Sequence, residues 1–236
     1  MVQHEKEMLE NLSDRKTLMS VRELAKGIIY TELLLTGWKP LLPIRRMSGK
    51  QCNMIRKQCH IIVDGEDILP PIKNFKDMRF ADPILKKLKA KGIVQPMQGL
   101  PVVLAGRDMI GIAFTGSGKT LVFVLLMIMI ALQEEMMMPI AHGEGPFGLV
   151  VCPSREVTRQ TYEVVEQFLV PLREAGYPVL RALLCIGGVD MRSQVEVVRK
   201  GVHIVVATPG RLKDMLAKKK MNLVIAGSPN GERKWP

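Results

Sequence analysis

The sequence has no paired cysteines and no secretory leader pattern, and no apolar strand in it ends in an acidic residue. Its four cysteines, Cys52, Cys59, Cys152 and Cys185, form no CxxC pair and have no histidine at zinc-ligand spacing. That argues against a structural zinc site and against a disulfide scaffold. Cys152 and Cys185 stand inside apolar runs, where a buried thiol is the default, so a reducing compartment is expected. The N-terminus, Met1-Val2-Gln3-His4-Glu5-Lys6-Glu7, is charged and carries no apolar stretch, so no leader is expected. The most membrane-like segment, Leu121 to Leu132, is shorter than the ~20 apolar residues of a spanning helix. It is expected to be a buried core helix, with no membrane partner.

What is present points to a folded basic protein. The chain has 236 residues, 47% of them hydrophobic, and a formal net charge of +11. Such a length supports one domain with a sizeable core plus an extension. A surplus of Lys and Arg concentrates polyanions at the surface, and nucleic acid is the commonest large one. Charge alone fits equally well a basic protein with no such partner.

The most specific local signal is Ala113-Phe114-Thr115-Gly116-Ser117-Gly118-Lys119-Thr120. Gly116 and Gly118 let the backbone turn tightly, so that N–H groups of the loop from Thr115 to Gly118, Ser117 included, can face phosphate oxygens. A helix starting near Lys119 adds its free N–H groups and positive dipole end. Lys119 can reach β and γ phosphates, and the Thr120 hydroxyl is placed to ligate Mg²⁺. Hydrolysis also needs an acidic residue at the end of another strand to hold the metal and water. None is found downstream: Asp190 sits in a turn, Asp214 within a helical pattern and Glu232 in a polar stretch. The sequence thus supplies a phosphate grip without the catalytic carboxylate.

The organisation around this loop is alternating. Glu5 to Lys26 has a loosely helical pattern, Gly37 to Gly49 reads as a Pro/Gly linker, Met54 to His60 as a short basic segment, and Pro70-Pro71 marks the approach to the main domain. Asp82 to Lys91 is predicted to be an amphipathic helix closed by Gly92. Strands are predicted at Met109 to Phe114, Leu149 to Cys152, Leu180 to Ile186 and His203 to Ala207. Helices are predicted after each, near Thr120 to Gln133, Glu156 to Leu172, Met191 to Arg199 and Leu212 to Lys219. Short apolar runs alternating with amphipathic helices predict an α/β fold, a parallel sheet covered on both faces. Each run stops at a turn-like cluster, including Pro153-Ser154-Arg155-Glu156, Gly187-Gly188 and Thr208-Pro209-Gly210-Arg211. Open α/β sheets bind ligands beyond the carboxyl ends of their strands, so these clusters mark the expected ligand edge.

Taken together, these motifs closely resemble those of the DEAD-box RNA helicases. The loop at 113–120 resembles their motif I, Pro153-Ser154-Arg155-Glu156-Val157 their motif Ia, Gly187-Gly188 their GG doublet and Thr208-Pro209-Gly210-Arg211-Leu212 their motif Ib. Gly106-Arg107-Asp108-Met109-Ile110-Gly111-Ile112, Pro70-Pro71-Ile72-Lys73 and Leu18-Met19-Ser20-Val21 look specifically like the Abstrakt subfamily. The resemblance runs from about Glu5 to Leu223. It implies a P-loop RecA-like sheet flanked by helices, incomplete here, spanning residues 71–223. Before it lies a mainly helical or irregular extension at 1–70, and after it a tail at 224–236 outside the family pattern.

The resemblance implies ATP and Mg²⁺ as cofactors, held by Thr115, Gly116, Ser117, Gly118, Lys119 and Thr120, with Thr120 on the metal. It implies single-stranded RNA contacted along its backbone by Pro153, Arg155, Gly188, Thr208 and Arg211. Phe75, 17 positions before Gly92, stands where the family stacks an aromatic on adenine; a core role is the alternative. The family further implies spliceosomal or other ribonucleoprotein partners and a nuclear or cytoplasmic location, the nucleus being favoured. Departures are also visible. Gly92-Ile93-Val94-Gln95-Pro96 runs straight into Met97-Gln98-Gly99, so the family's adenine-reading glutamine is missing and its role does not pass to Gln98. Asp-Glu-Ala-Asp, Ser-Ala-Thr and the second RecA-like domain are absent from this sequence. ATP hydrolysis and unwinding by this chain alone are therefore not expected, and a non-enzymatic RNA-binding or interaction fragment, or a non-functional truncated product, is the rival reading. A small P-loop kinase fits poorly with Thr208-Pro209-Gly210-Arg211.

Overall fold

The computed structural model describes residues 40–65, 68–72, 74–93, 99–105, 109–114, 118–225 and 233–234. The helical pattern expected over Glu5 to Lys26, and the positions of Gln95 and Gln98, lie outside them. Two short helices come first, α1 (Leu42–Arg45) and α2 (Gly49–Gln58). The sequence reading placed a Pro/Gly linker at Gly37 to Gly49, where the structure forms α1; the basic segment at Met54 to His60 lies largely on α2. The signal for α2 is a capping box: Ser48 Oγ accepts from Gln51 N–H at 3.3 Å, and Gln51 Oε1 accepts from Ser48 N–H at 2.9 Å. Two donors that a helix start otherwise leaves unpaired are thereby satisfied.

A 3₁₀ turn (Phe75–Met78) leads to α3 (Asp82–Ala90), which opens with a proline in its first turn and buries Ile84 and Leu88. The short α4 (Gly99–Leu104) precedes α5 (Lys119–Met137). From there the chain alternates as the sequence predicts. Strand β1 (Gly148–Val151) is followed by α6 (Arg155–Glu174), β2 (Ala182–Cys185) by α7 (Met191–Arg199), and β3 (Ile204–Ala207) by α8 (Pro209–Ala217). A small antiparallel pair, β4 (Val224–Ile225) with β5 (Arg233–Lys234), closes the described chain.

The main sheet is parallel in the order β1-β3-β2, with Gly148 and Ala182 both in register with Ile204. β3 is therefore central, and all its side chains are buried. Successive side chains alternate between faces, so Ile204 and Val206 enter one apolar cluster while Val205 and Ala207 enter the other. The first cluster is built mainly by α3, α5 and α6, with Leu125, Ile128 and Phe168 fully enclosed; the second takes Val198, Leu212 and Met215 from α7 and α8. Each fully buried apolar side chain of this size contributes ~1.5–3 kcal/mol. Helices on both faces explain why the strands read as continuous apolar runs.

α5 requires a correction to the length argument. It has 19 residues and a mean hydropathy of 1.9 over its most apolar window, enough by length and composition to cross a bilayer. Part of that helix packs into the core. Val124, Leu125, Leu126, Ile128 and Ala131 are all buried in the core, as expected of this segment.

The far end of α5 is tied to the sheet by a buried polar pair. His203 Nδ1 accepts from Arg181 N–H at 2.9 Å, so the ring proton sits on Nε2 and is donated to Glu135 Oε2 at 2.9 Å. The same Glu135 oxygen accepts from Ile140 N–H at 2.8 Å. Burial pushes the His203 pKa below its ordinary value, outweighing the opposing effect of the hydrogen bond that His203 donates to Glu135. The unfolded chain therefore takes up this proton more readily than the folded one. Stability from this pair is present above the unfolded value of 6.5 and is lost as pH falls below it. A lower melting temperature at pH 5.5 than at pH 7.5 is expected, with a smaller drop in His203→Gln; equal pH dependence in both proteins contradicts this.

Candidate phosphate loop and nucleic-acid groove

The phosphate loop is described from its helical side. Gly118 caps α5 with a φ of 84°, a left-handed conformation that a Cβ would strain. Lys119 and Thr120 open the helix, where unpaired N–H groups and the dipole favour an anion. Lys119 is exposed, and its ammonium donates to the carbonyls of Ala113 and Phe114, the second at 3.4 Å. Thr115, Gly116 and Ser117 lie outside the described residues. The donors present fit a phosphate tail. For Mg²⁺ they offer the Thr120 hydroxyl, and among the described residues no cluster of His, Cys, Asp or Glu is placed to hold a metal.

The strand expected at Met109 to Phe114 is not formed. The segment carries no regular structure, and Ile110, Ile112 and Phe114 are 82%, 82% and 91% exposed. Alternating apolar residues specify a strand only when a neighbour takes up the backbone groups, and this segment pairs with none of the three sheet strands. The outer edge of β1 is likewise unpaired, and Val151 is half exposed there.

The second part of the site lies beyond the carboxyl ends of the three sheet strands. Pro153 and Arg155 follow β1, Gly187 follows β2, and Thr208 and Arg211 follow β3. All of them line one open groove of about 960 Å³. Two helices begin at this groove. The α6 cap is Ser154, whose Oγ accepts from Val157 N–H at 3.3 Å, and α8 starts with Pro209 after Thr208. Their N-termini add partial positive charge to the two arginines.

Arg155 lies over the glycine doublet. A Cβ on Gly188, which has a φ of 83°, would stand 3.0 Å from Arg155 Nη1, and one on Gly187 would stand 3.3 Å from Nη2. The left-handed φ favours glycine at Gly188, while the close approach is to the end of an exposed side chain that can shift. Arg211 turns inward: its Nη2 donates to the Val189 carbonyl at 3.2 Å, and its buried Nη1 has no partner among the described residues. Such an unpaired donor costs ~1–3 kcal/mol unless an acceptor arrives.

The structure thus assembles four of the five residues expected on RNA, Pro153, Arg155, Thr208 and Arg211, with Gly188 against Arg155. Phe75 is buried and packs at 6.2 Å from Phe80, a core placement. Two acidic residues to which the sequence reading assigned no role also line the groove, Glu156 and Asp214. Glu156 is held ionised by its own backbone N–H and by Ser154, and Asp214 pairs with Lys218 at 2.8 Å. The available signal for Asp214 is its place one helical turn after Arg211. Cys185, the last residue of β2, is fully buried, and burial pushes its thiol up to about 11.

A parallel sheet flanked by helices, with a glycine-capped helix opening on Lys119 and Thr120, is the architecture of a P-loop α/β protein. Residues 96–226, more than half of the chain, match the family model of DEAD/DEAH box helicases, and the chain belongs to that family. It is 80% identical over 223 residues to DEAD-box ATP-dependent RNA helicase 35 of Arabidopsis thaliana, covering 93% of this chain and 38% of that protein. To ATP-dependent RNA helicase abstrakt of Drosophila melanogaster it is 49% identical over 226 residues, covering 94% and 36%. The chain thus spans well under half the length of these relatives. Among solved structures, the yeast DEAD-box splicing factor Prp28 matches with a TM-score of 0.62 at 21% identity, over 76% of this chain and 42% of that one. The RNA helicase Prp28 from Chaetomium thermophilum, bound to ADP, matches with a TM-score of 0.59 at 26% identity, over 79% and 44%.

Proposed function

We propose that this chain is the phosphate-gripping and RNA-backbone-binding part of a DEAD-box ATP-dependent RNA helicase. One observation carries the reading: Pro153, Arg155, Thr208 and Arg211, dispersed over 59 sequence positions, line a single groove at the strand ends. Arginine guanidiniums and helix N-termini contact phosphates without reading bases, so the groove suits RNA of any sequence. ATP with Mg²⁺ is assigned to the loop from Thr115 to Thr120, with Lys119 on the phosphates and Thr120 on the metal. The ADP carried by the 26% identical neighbour supports an adenine nucleotide. Residues 71–223 are assigned to the helicase domain and 1–70 to the extension. On family grounds, spliceosomal or other ribonucleoprotein partners and an intracellular, preferentially nuclear, location complete the proposal.

Fluorescence anisotropy of a labelled single-stranded RNA tests it. Binding should weaken steeply with salt and differ little between homopolymers. Absence of binding at low salt would end the RNA reading.

A further inference from the structure

The glycine turn between β2 and α7 is held at both ends, and one of the two holds comes from a residue with no assigned part in the site. Gln194 belongs to α7 and is 3% exposed. It lies four residues before Val198, on the face that the helix turns to the core. An apolar residue of equal size would serve that core better, because a buried amide loses its water. Gln194 recovers only part of its hydrogen-bonding capacity. Its Nε2 donates to the Ile186 carbonyl at 3.0 Å, while Oε1 is buried and accepts from nothing among the described residues.

The carbonyl it holds is the informative part. The β2–β3 ladder ends at Cys185 opposite Ala207, and Thr208 N–H donates to the Cys185 carbonyl at 3.0 Å. Ile186 is the first residue beyond the ladder and the last before Gly187-Gly188. Three residues on, Arg211 Nη2 holds the Val189 carbonyl at 3.2 Å. The turn from Ile186 to Val189 is thus pinned at one end by Gln194 and at the other by Arg211, with Arg155 lying over its centre.

We infer that Gln194 is a positioning residue for the groove: its buried amide fixes the turn against which Arg155 and Arg211 are set, and so governs RNA affinity without touching RNA. The inference rests on the proposed RNA groove, but its local part stands apart from it. Gln194→Met keeps the volume and removes the amide, whereas Gln194→Glu keeps the shape and removes the donor. Val198→Ala, in the same helix and away from the turn, controls for loss of stability alone.

Hydrogen exchange over residues 186–190 and RNA affinity are measured for the wild type and all three variants. Both Gln194 variants should exchange faster over the turn and bind RNA about tenfold more weakly, the loss of roughly one well-placed hydrogen bond. Val198→Ala should lower the melting temperature and leave both readouts near wild type. Unchanged exchange in Gln194→Met overturns the inference, as does an equal loss of affinity in Val198→Ala. A wild-type chain that binds no RNA refutes the proposed function and with it the effect on affinity. Exchange then still decides whether Gln194 holds the turn.

Discussion

Replacing Arg155 and Arg211 together with alanine should weaken binding of single-stranded RNA by about a hundredfold or more. Each guanidinium offers charge-assisted hydrogen bonds worth ~1.5–3 kcal/mol, and every 1.4 kcal/mol is roughly tenfold in affinity. Removing two phosphate contacts should also flatten the salt dependence, by about 0.7 in the log–log slope for each contact with a single strand. The two residues are not equivalent. Arg155 lies over Gly187 and Gly188, whereas Arg211 already spends one nitrogen on the Val189 carbonyl. Arg211→Ala therefore frees the turn as well as removing a charge, and the double variant should depart from additivity. Anisotropy at two salt concentrations reads both effects. A double variant with unchanged slope would show that RNA binds elsewhere, for instance on the lysine-rich face of α3.

The second large effect is expected at the phosphate loop. Lys119→Ala should reduce affinity for a fluorescent ATP analogue by about two orders of magnitude, as expected when a cation facing a charged phosphate tail is lost. In the structure the Lys119 ammonium is engaged by the carbonyls of Ala113 and Phe114. Nucleotide binding must draw it away from them, so hydrogen exchange over 109–120 should change when ATP is added. Turnover is a separate matter. The three strands of the sheet are followed by Pro153, Gly187 and Thr208 rather than by a carboxylate of the kind that holds the attacking water. The 236-residue chain should thus bind ATP without RNA-stimulated hydrolysis. Robust turnover abolished by Lys119→Ala would contradict this.

How much of this was legible in the sequence follows from what each signal depends on. Strands β1 to β3 and helices α5 to α8 were readable because their apolar periodicity is local and each strand stops at a turn cluster. The same local signal misled at Met109 to Phe114. Its alternation is that of a strand, but pairing depends on neighbours that no window of sequence contains. Helix α2 went the other way: the Pro/Gly content before it suggested a linker, although Ser48-Gly49-Lys50-Gln51 carries the spacing of a capping box.

The groove was legible because Arg155, Gly187, Gly188 and Arg211 all follow strand ends, and a parallel sheet brings strand ends together. Gln194 was not, because a glutamine on an amphipathic helix reads as solvent-facing until the helix is packed. Nor was the inward turn of Arg211, which depends on a carbonyl 22 positions away.

The most direct test of the central claim is ultraviolet crosslinking of the chain to single-stranded RNA, followed by mapping of the modified peptides. The groove predicts crosslinks within Pro153 to Glu156, Gly187 to Val189 and Thr208 to Arg211, lost in the Arg155→Ala, Arg211→Ala double variant. Crosslinks confined to α2 or α3, and unaltered in that variant, would contradict it.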